Sequence, residues 1–135
     1  MRNRVHVIKS EYKVIPDKGI VVCILECTTG VANTDIWSYI QTIWWNKRLP
    51  NVNYRGDFTV RAKAICSKDD KFDEVIGKRI AESRAKAKAY MVAFKFWSIC
   101  ANKIKEIADT CANFKRACDL ANMGEKEHII QLCSV

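Results

Sequence analysis

The feature that most constrains this chain is a long stretch free of helix breakers: from Lys78 to Met123 there is neither glycine nor proline. Within it and just ahead of it, Phe72, Ile76, Ile80, Ala87, Met91, Phe94, Trp97, Ala101, Ile104, Ala108 and Cys111 recur at helical spacing. Such a stripe is what an amphipathic helix buries. A helix is therefore expected to begin near Phe72, with Asp69 or Asp70 accepting hydrogen bonds from the unpaired N–H groups of its first turn. A helix rises about 1.5 Å per residue, so this stripe is longer than a small sheet can cover. Either the helix breaks near Asp109 to Asn113 and a second helix folds back, or a partner chain packs on the surplus. Gly124 is expected to end the helical region, leaving Ile129 to Val135 as a short tail.

The first half of the chain reads as strands. Arg4 to Val14 and Ile20 to Cys27 are rich in Val and Ile and flank Pro16-Asp17-Lys18-Gly19, which suits a type I or II turn, so the pair forms a hairpin. Ile36, Ile40, Ile43 and Trp44 then recur at helical spacing after Thr34-Asp35, residues able to cap a short helix; a strand is the alternative there. Pro50 ends that element. Arg55-Gly56-Asp57 separates a short Val52 to Tyr54 strand from the run Phe58 to Cys66. That run alternates, with Phe58, Val60, Ala62 and Ala64 on one face of a sheet and Thr59, Arg61 and Lys63 on the other. The expected fold class is α+β: an N-terminal antiparallel β-sheet followed by one long or two consecutive C-terminal helices. A length of 135 residues suits a single domain, residues 1–135.

Composition excludes several classes. The longest apolar run, Ala89 to Ala101, is interrupted by Lys95 and falls short of the roughly 20 residues of a membrane span. The basic Met1-Arg2-Asn3-Arg4 is not followed by the apolar region of a signal peptide, so a cytoplasmic location is expected. The seven cysteines are scattered, mostly in apolar stretches and without a CxxC pair, which reads as reduced core thiols. His6 and His128 lie near opposite ends, and no metal site or cofactor is expected. Without a paired Ser-His or Cys-His and without a GxxxxGK[ST] loop, catalysis is not expected either.

Charge is the positive signal. The chain carries 23 Lys+Arg against 15 Asp+Glu, a net +8, and from Lys78 to Arg116 there are ten basic and three acidic residues. That field either faces water or meets an anion. Arg84 and Lys88, four residues apart, project from one helix face. They repel each other unless an anion sits between them. A guanidinium forks onto a phosphate while an ammonium adds a mobile point charge, which together suit a diphosphate. Ser67 and Asp69 in the preceding loop offer a hydroxyl and a carboxylate for base edges or ribose hydroxyls. Asp69, Asp70, Asp73 and Glu74 as a cluster are better explained by capping and dipole compensation than by Mg²⁺. Of the aromatic residues Trp37, Trp44, Trp45, Phe58 and Trp97, Phe58 has the best claim to stack on a base, because it opens the strand leading into this junction.

The stretch Ala64-Ile65-Cys66-Ser67-Lys68-Asp69-Asp70-Lys71-Phe72-Asp73-Glu74-Val75-Ile76-Gly77-Lys78-Arg79-Ile80-Ala81-Glu82-Ser83-Arg84-Ala85-Lys86 resembles a signature of small phage proteins of double-stranded-RNA-binding-like shape. Among these it is most similar to the first-described family of Thoeris anti-defence sponges, chiefly over residues 58 to 90. The resemblance implies a non-enzymatic protein of immune evasion, acting in the cytoplasm of the infected bacterial host. It would sequester cyclic ADP-ribose isomers (gcADPR) made by bacterial TIR proteins, without cleaving them. It places the family's polar loop residue on Ser67, where Asn is the family's choice, and the loop carboxylate on Asp69. The helical Arg falls on Arg84, Lys88 replaces a second Arg, and the stacking aromatic falls near Phe58. It further implies a homodimer with the pocket between protomers, assembly to a homohexamer, and in some members a separate site for a cyclic trinucleotide. The competing readings are a double-stranded-RNA-binding-like nucleic-acid module and a structural or partner-binding phage protein.

Overall fold

The turn Pro16-Asp17-Lys18-Gly19 brings the first two strands together. Pro16 opens a single 3-10 turn, and Gly19, at φ +62°, returns its N–H to the Pro16 carbonyl at 3.1 Å. The left-handed backbone at that point is why a glycine stands there. A computed structural model describes residues 5–46, 51–67 and 70–134, without the side chains of residues 42–46. The hairpin strands are β1 (His6–Ile15) and β2 (Ile20–Thr28); α1 (Trp37–Asn46), β3 (Asp57–Ile65) and α2 (Glu74–Cys133) follow. The sheet is antiparallel in the order β1-β2-β3, so the arrangement is α+β with one long C-terminal helix. The chain divides into two compact units, Met1–Ser98 and Ile99–Val135, and α2 contributes to both.

The first unit is a three-stranded sheet with the opening turns of α2 on one face. Val21, Cys23, Leu25 and Cys27 of β2 are buried there beside Phe58, Val60, Ala62 and Ala64 of β3, the alternation expected for β3. On the helix, the buried residues are Ala81, Ala85, Ala89, Ala93 and Phe96. This corrects the sequence-based stripe: Ile76, Ile80, Met91 and Phe94 are all exposed by 41% or more. A helix seated close to a sheet has room for methyl groups at the contact, so the small residues go inward and the larger ones flank them. Gly77 extends the same logic, since a Cβ there would come within 2.8 Å of Val21 Cγ2. On the β1 side, Lys78 Nζ lies 5.6 Å from the Tyr12 ring centroid. Burial first, then the nearby Glu82 carboxylate, raises the ionisation of Tyr12 and of Cys23 above their ordinary ranges.

Several further expectations are corrected. Val52 to Tyr54 is not a strand: Asn53 Oδ1 accepts from the N–H groups of Arg55 and Asp57, both at 2.9 Å, and folds the segment into a tight turn. Gly56, at φ +84°, completes it, with its carbonyl taking the Thr29 N–H at 2.8 Å. The segment from Trp37 is helical and not a strand, with Ile40 buried. The cap of α2 is Asp73, whose Oδ1 accepts from Val75 at 3.0 Å and Ile76 at 3.2 Å. Helix α2 has no break at residues 109–113, and it passes through Gly124 to Cys133. A glycine inside a helix costs only about 1 kcal/mol against alanine, too little to stop it alone. Three cysteines, Cys111, Cys118 and Cys133, are exposed on it, whereas Cys23, Cys27 and Cys100 are buried. No helix among the described residues is long and apolar enough to cross a membrane.

Candidate functional site

Strand β3 pairs with β2 along one edge, so its other edge has no neighbouring strand. In an antiparallel strand alternate residues turn both N–H and C=O to the same edge. Arg61 and Lys63, two residues apart, present their carbonyls outward. Helix α2 answers with two cations: Arg84 Nη1 donates to the Lys63 carbonyl at 3.0 Å, and Lys88 Nζ donates to the Arg61 carbonyl at 2.7 Å. The spacings match, because four helical residues advance about 6 Å and two strand residues about 6.6 Å. The strand is thereby protected from edge pairing.

These two bonds orient the cations without neutralising them. A carbonyl carries only a partial charge, and among the described residues neither Arg84 nor Lys88 makes an ion pair with a carboxylate. Neighbouring cations of α2 are compensated: Lys78 pairs with Glu74 at 3.6 Å and Lys86 with Glu82 at 3.1 Å. Arg84 and Lys88 are exposed, and each keeps further N–H donors beyond the one it spends on β3.

The seam between β3 and α2 opens into a cleft on either side of the Arg84 contact. The cleft around Lys88 measures about 530 Å³ and is lined by Asn51, Thr59, Val60, Arg61, Ala87, Met91 and Val92 as well as Lys88. That is within the roughly 300–1,000 Å³ of small-ligand sites. The cleft toward the start of α2 is smaller, about 240 Å³, and includes Ala64, Cys66, Ser67, Asp70, Phe72, Asp73 and Ile80. Its loop is tied to the hairpin turn by the Cys66 N–H donating to the Gly19 carbonyl at 2.7 Å. The Asp70 N–H also bonds the Ser67 carbonyl at 3.1 Å.

The proposed site residues are therefore distributed. Arg84 and Lys88 lie side by side on the groove. Ser67 is exposed in the smaller cleft, and six residues of chain, up to about 20 Å when extended, separate it from Arg61. Phe58 is 5% exposed, on the helix-facing side of β3 and paired with Cys27; its ring is part of the core, leaving no face for a base in the single chain. Asp69 lies outside the described residues, as do the side chains of Trp44 and Trp45. Trp97 packs edge-on against Phe96, centroids 5.2 Å apart. Reading the sequence missed the role of the Arg61 and Lys63 carbonyls as anchors. Their signal was present in the polar face of the alternating strand, but that pattern does not say which strand forms an edge.

No family model, curated protein or solved structure matches this chain.

Proposed function

We propose that this protein is a homo-oligomeric, non-enzymatic sponge for cyclic ADP-ribose isomers, the phage anti-defence role that its resemblance implies, acting in the infected host's cytoplasm without a cofactor. The observation that supports this reading is the pair Arg84 and Lys88: two adjacent cations with no carboxylate partner among the described residues, oriented by β3 at the side of a ligand-sized cleft. A pyrophosphate between them would relieve their mutual repulsion and take charge-assisted hydrogen bonds from both. A stoichiometric binder gains from groups already oriented, since little ordering entropy is then lost on binding. Met91 and Val92 give the cleft its apolar contact for a base. Ser67 and the Asp69 loop lie too far along the chain to share that ligand with Lys88 unless a second protomer, in a homodimer or homohexamer, supplies them. A cyclic trinucleotide belongs to a separate site in this reading.

Calorimetry with cyclic ADP-ribose isomers, followed by recovery of the nucleotide after heat denaturation, tests the reading. Saturable binding and release of intact ligand are expected. Recovery of a cleaved nucleotide would replace it with a phosphodiesterase.

A second reading is favoured by the open face of the sheet. Lys9, Lys13, Arg61 and Lys63 stand on the face opposite α2, by the strand register, and would suit the phosphate backbone of a duplex RNA. Such binding weakens steeply with salt, whereas a ligand with two phosphates gives a shallow dependence.

A further inference from the structure

The second unit is helix with no other element to cover it. Its apolar side chains are exposed, Phe114 by 68%, and they are spaced as a seam. Ile104, Ile107, Cys111, Phe114, Cys118 and Ala121 follow one another at intervals of three and four residues, the heptad repeat by which one helix packs along another. A helix so long owes most of its stability to packing of its apolar face, so the exposed seam calls for a second helix.

We propose that the occupant is a second copy of this chain, running antiparallel along the same seam. The residue sizes select that orientation. Placed antiparallel with Cys111 level with the partner's Phe114, each layer joins a large side chain to a small one. Ile107 then meets the partner's Cys118, and Ile104 meets the partner's Ala121. Layers of matched total volume pack without voids or overlap. A parallel pair would instead stack Phe114 on Phe114 and Ala121 on Ala121, giving one overfilled layer and one hollow one.

The flanking positions agree with this arrangement. Beside the antiparallel seam, Lys103 falls opposite the partner's Gly124 and Lys115 opposite the partner's Ala108. No like charges are brought together, and the small residues let the two helices approach closely. This pairing stands apart from the nucleotide reading, since none of its residues belongs to the groove.

Sedimentation of the full chain, with and without single substitutions, tests it. Phe114→Glu places a charge in the seam and is expected to lower the associated mass, while circular dichroism shows the helix retained. Leu120→Glu, an equally exposed position off the seam, is expected to leave the mass unchanged. A monomeric wild-type chain, or equal loss from both substitutions, overturns the proposal. Orientation is read by a short thiol cross-linker with peptide mapping. The thiol introduced by Ile107→Cys is expected to join to the partner's Cys118. In the antiparallel pair the two Cys118 side chains lie eleven residues apart along the axis, about 16 Å. Their joining to each other would show a parallel pair and overturn the antiparallel assignment.

Discussion

Replacing Ala85 by leucine should unfold this protein more readily than any other alanine-to-leucine change on the exposed side of the same helix turn. Ala85 is fully buried, in the middle of the row Ala81, Ala85, Ala89 and Ala93 that lies on the sheet. Below the row are the buried side chains of β2 and β3, which leave no space for three additional carbon atoms. Overpacking of a tight contact costs typically 1–3 kcal/mol, and the tight spacing of Gly77 against Val21 on the same helix face argues for the upper part of that range. With a urea slope of about 2 kcal/mol per molar for a small domain, the unfolding midpoint should fall by roughly 1 M. Ala87→Leu makes the same chemical change at an exposed position and should shift stability by no more than about 0.5 kcal/mol. Urea unfolding followed by circular dichroism compares the two. Equal midpoints for Ala85→Leu and Ala87→Leu would refute the close seating of the helix on the sheet.

Other consequences follow from the same contacts. Asp73→Ala removes the acceptor for two first-turn N–H groups and should cost about 1 kcal/mol, while Asp73→Asn, which keeps an oxygen there, should cost much less. Gly56→Ala should cost more than about 1 kcal/mol, because φ is +84° and the added Cβ meets Thr29 Oγ1 and Val31 Cγ1; a neutral result in thermal unfolding would contradict the tight turn. Burial pushes the Cys100 thiol from 9.0 up to about 11, and raises Cys27 in the same direction. An unfolded thiol ionises first as the pH rises. The stability is therefore whole below about pH 9 and declines toward pH 11, by on the order of 2–3 kcal/mol for Cys100. Urea midpoints on either side of that window should show the loss, and Cys100→Ala should flatten it.

Much of the fold was legible because its signals are local. The Pro16 to Gly19 turn and the alternation from Phe58 to Ala64 depend on near neighbours and on a period of two, and both are found in place. What was misread depends on tertiary spacing. Hydrophobicity favoured Ile76, Ile80 and Met91 as the buried face of α2, but the closeness of the sheet favours the alanines, and size outweighs apolarity at that contact. Asp73 was one of four acidic residues any of which could cap a helix, and only its backbone position singles it out. Gly124 looked like a stop because glycine often is one, yet the residues beyond it are able to continue the helix. For the site, the adjacency of Arg84 and Lys88 was visible in their spacing of four. Their attachment to the Lys63 and Arg61 carbonyls was not, since backbone acceptors leave no mark in the sequence. Phe58 illustrates the converse: an aromatic residue at a strand start suggested stacking, and the even position that starts the alternation sends it into the core.

The central claim is that the positive charge of Arg84 and Lys88, and not their hydrogen bonds to β3, recognises an anion. Glutamine at either position keeps an N–H donor for the strand carbonyl and removes only the charge. Titration calorimetry of a cyclic ADP-ribose isomer into the wild type, Arg84→Gln and Lys88→Gln, with duplex RNA as the control ligand, separates the possibilities. The account predicts saturable nucleotide binding with shallow salt dependence, lost by at least tenfold in each variant while the urea midpoint stays near that of the wild type. Nucleotide binding of wild-type strength in Arg84→Gln, or binding of duplex RNA alone with a steep salt dependence, would contradict it.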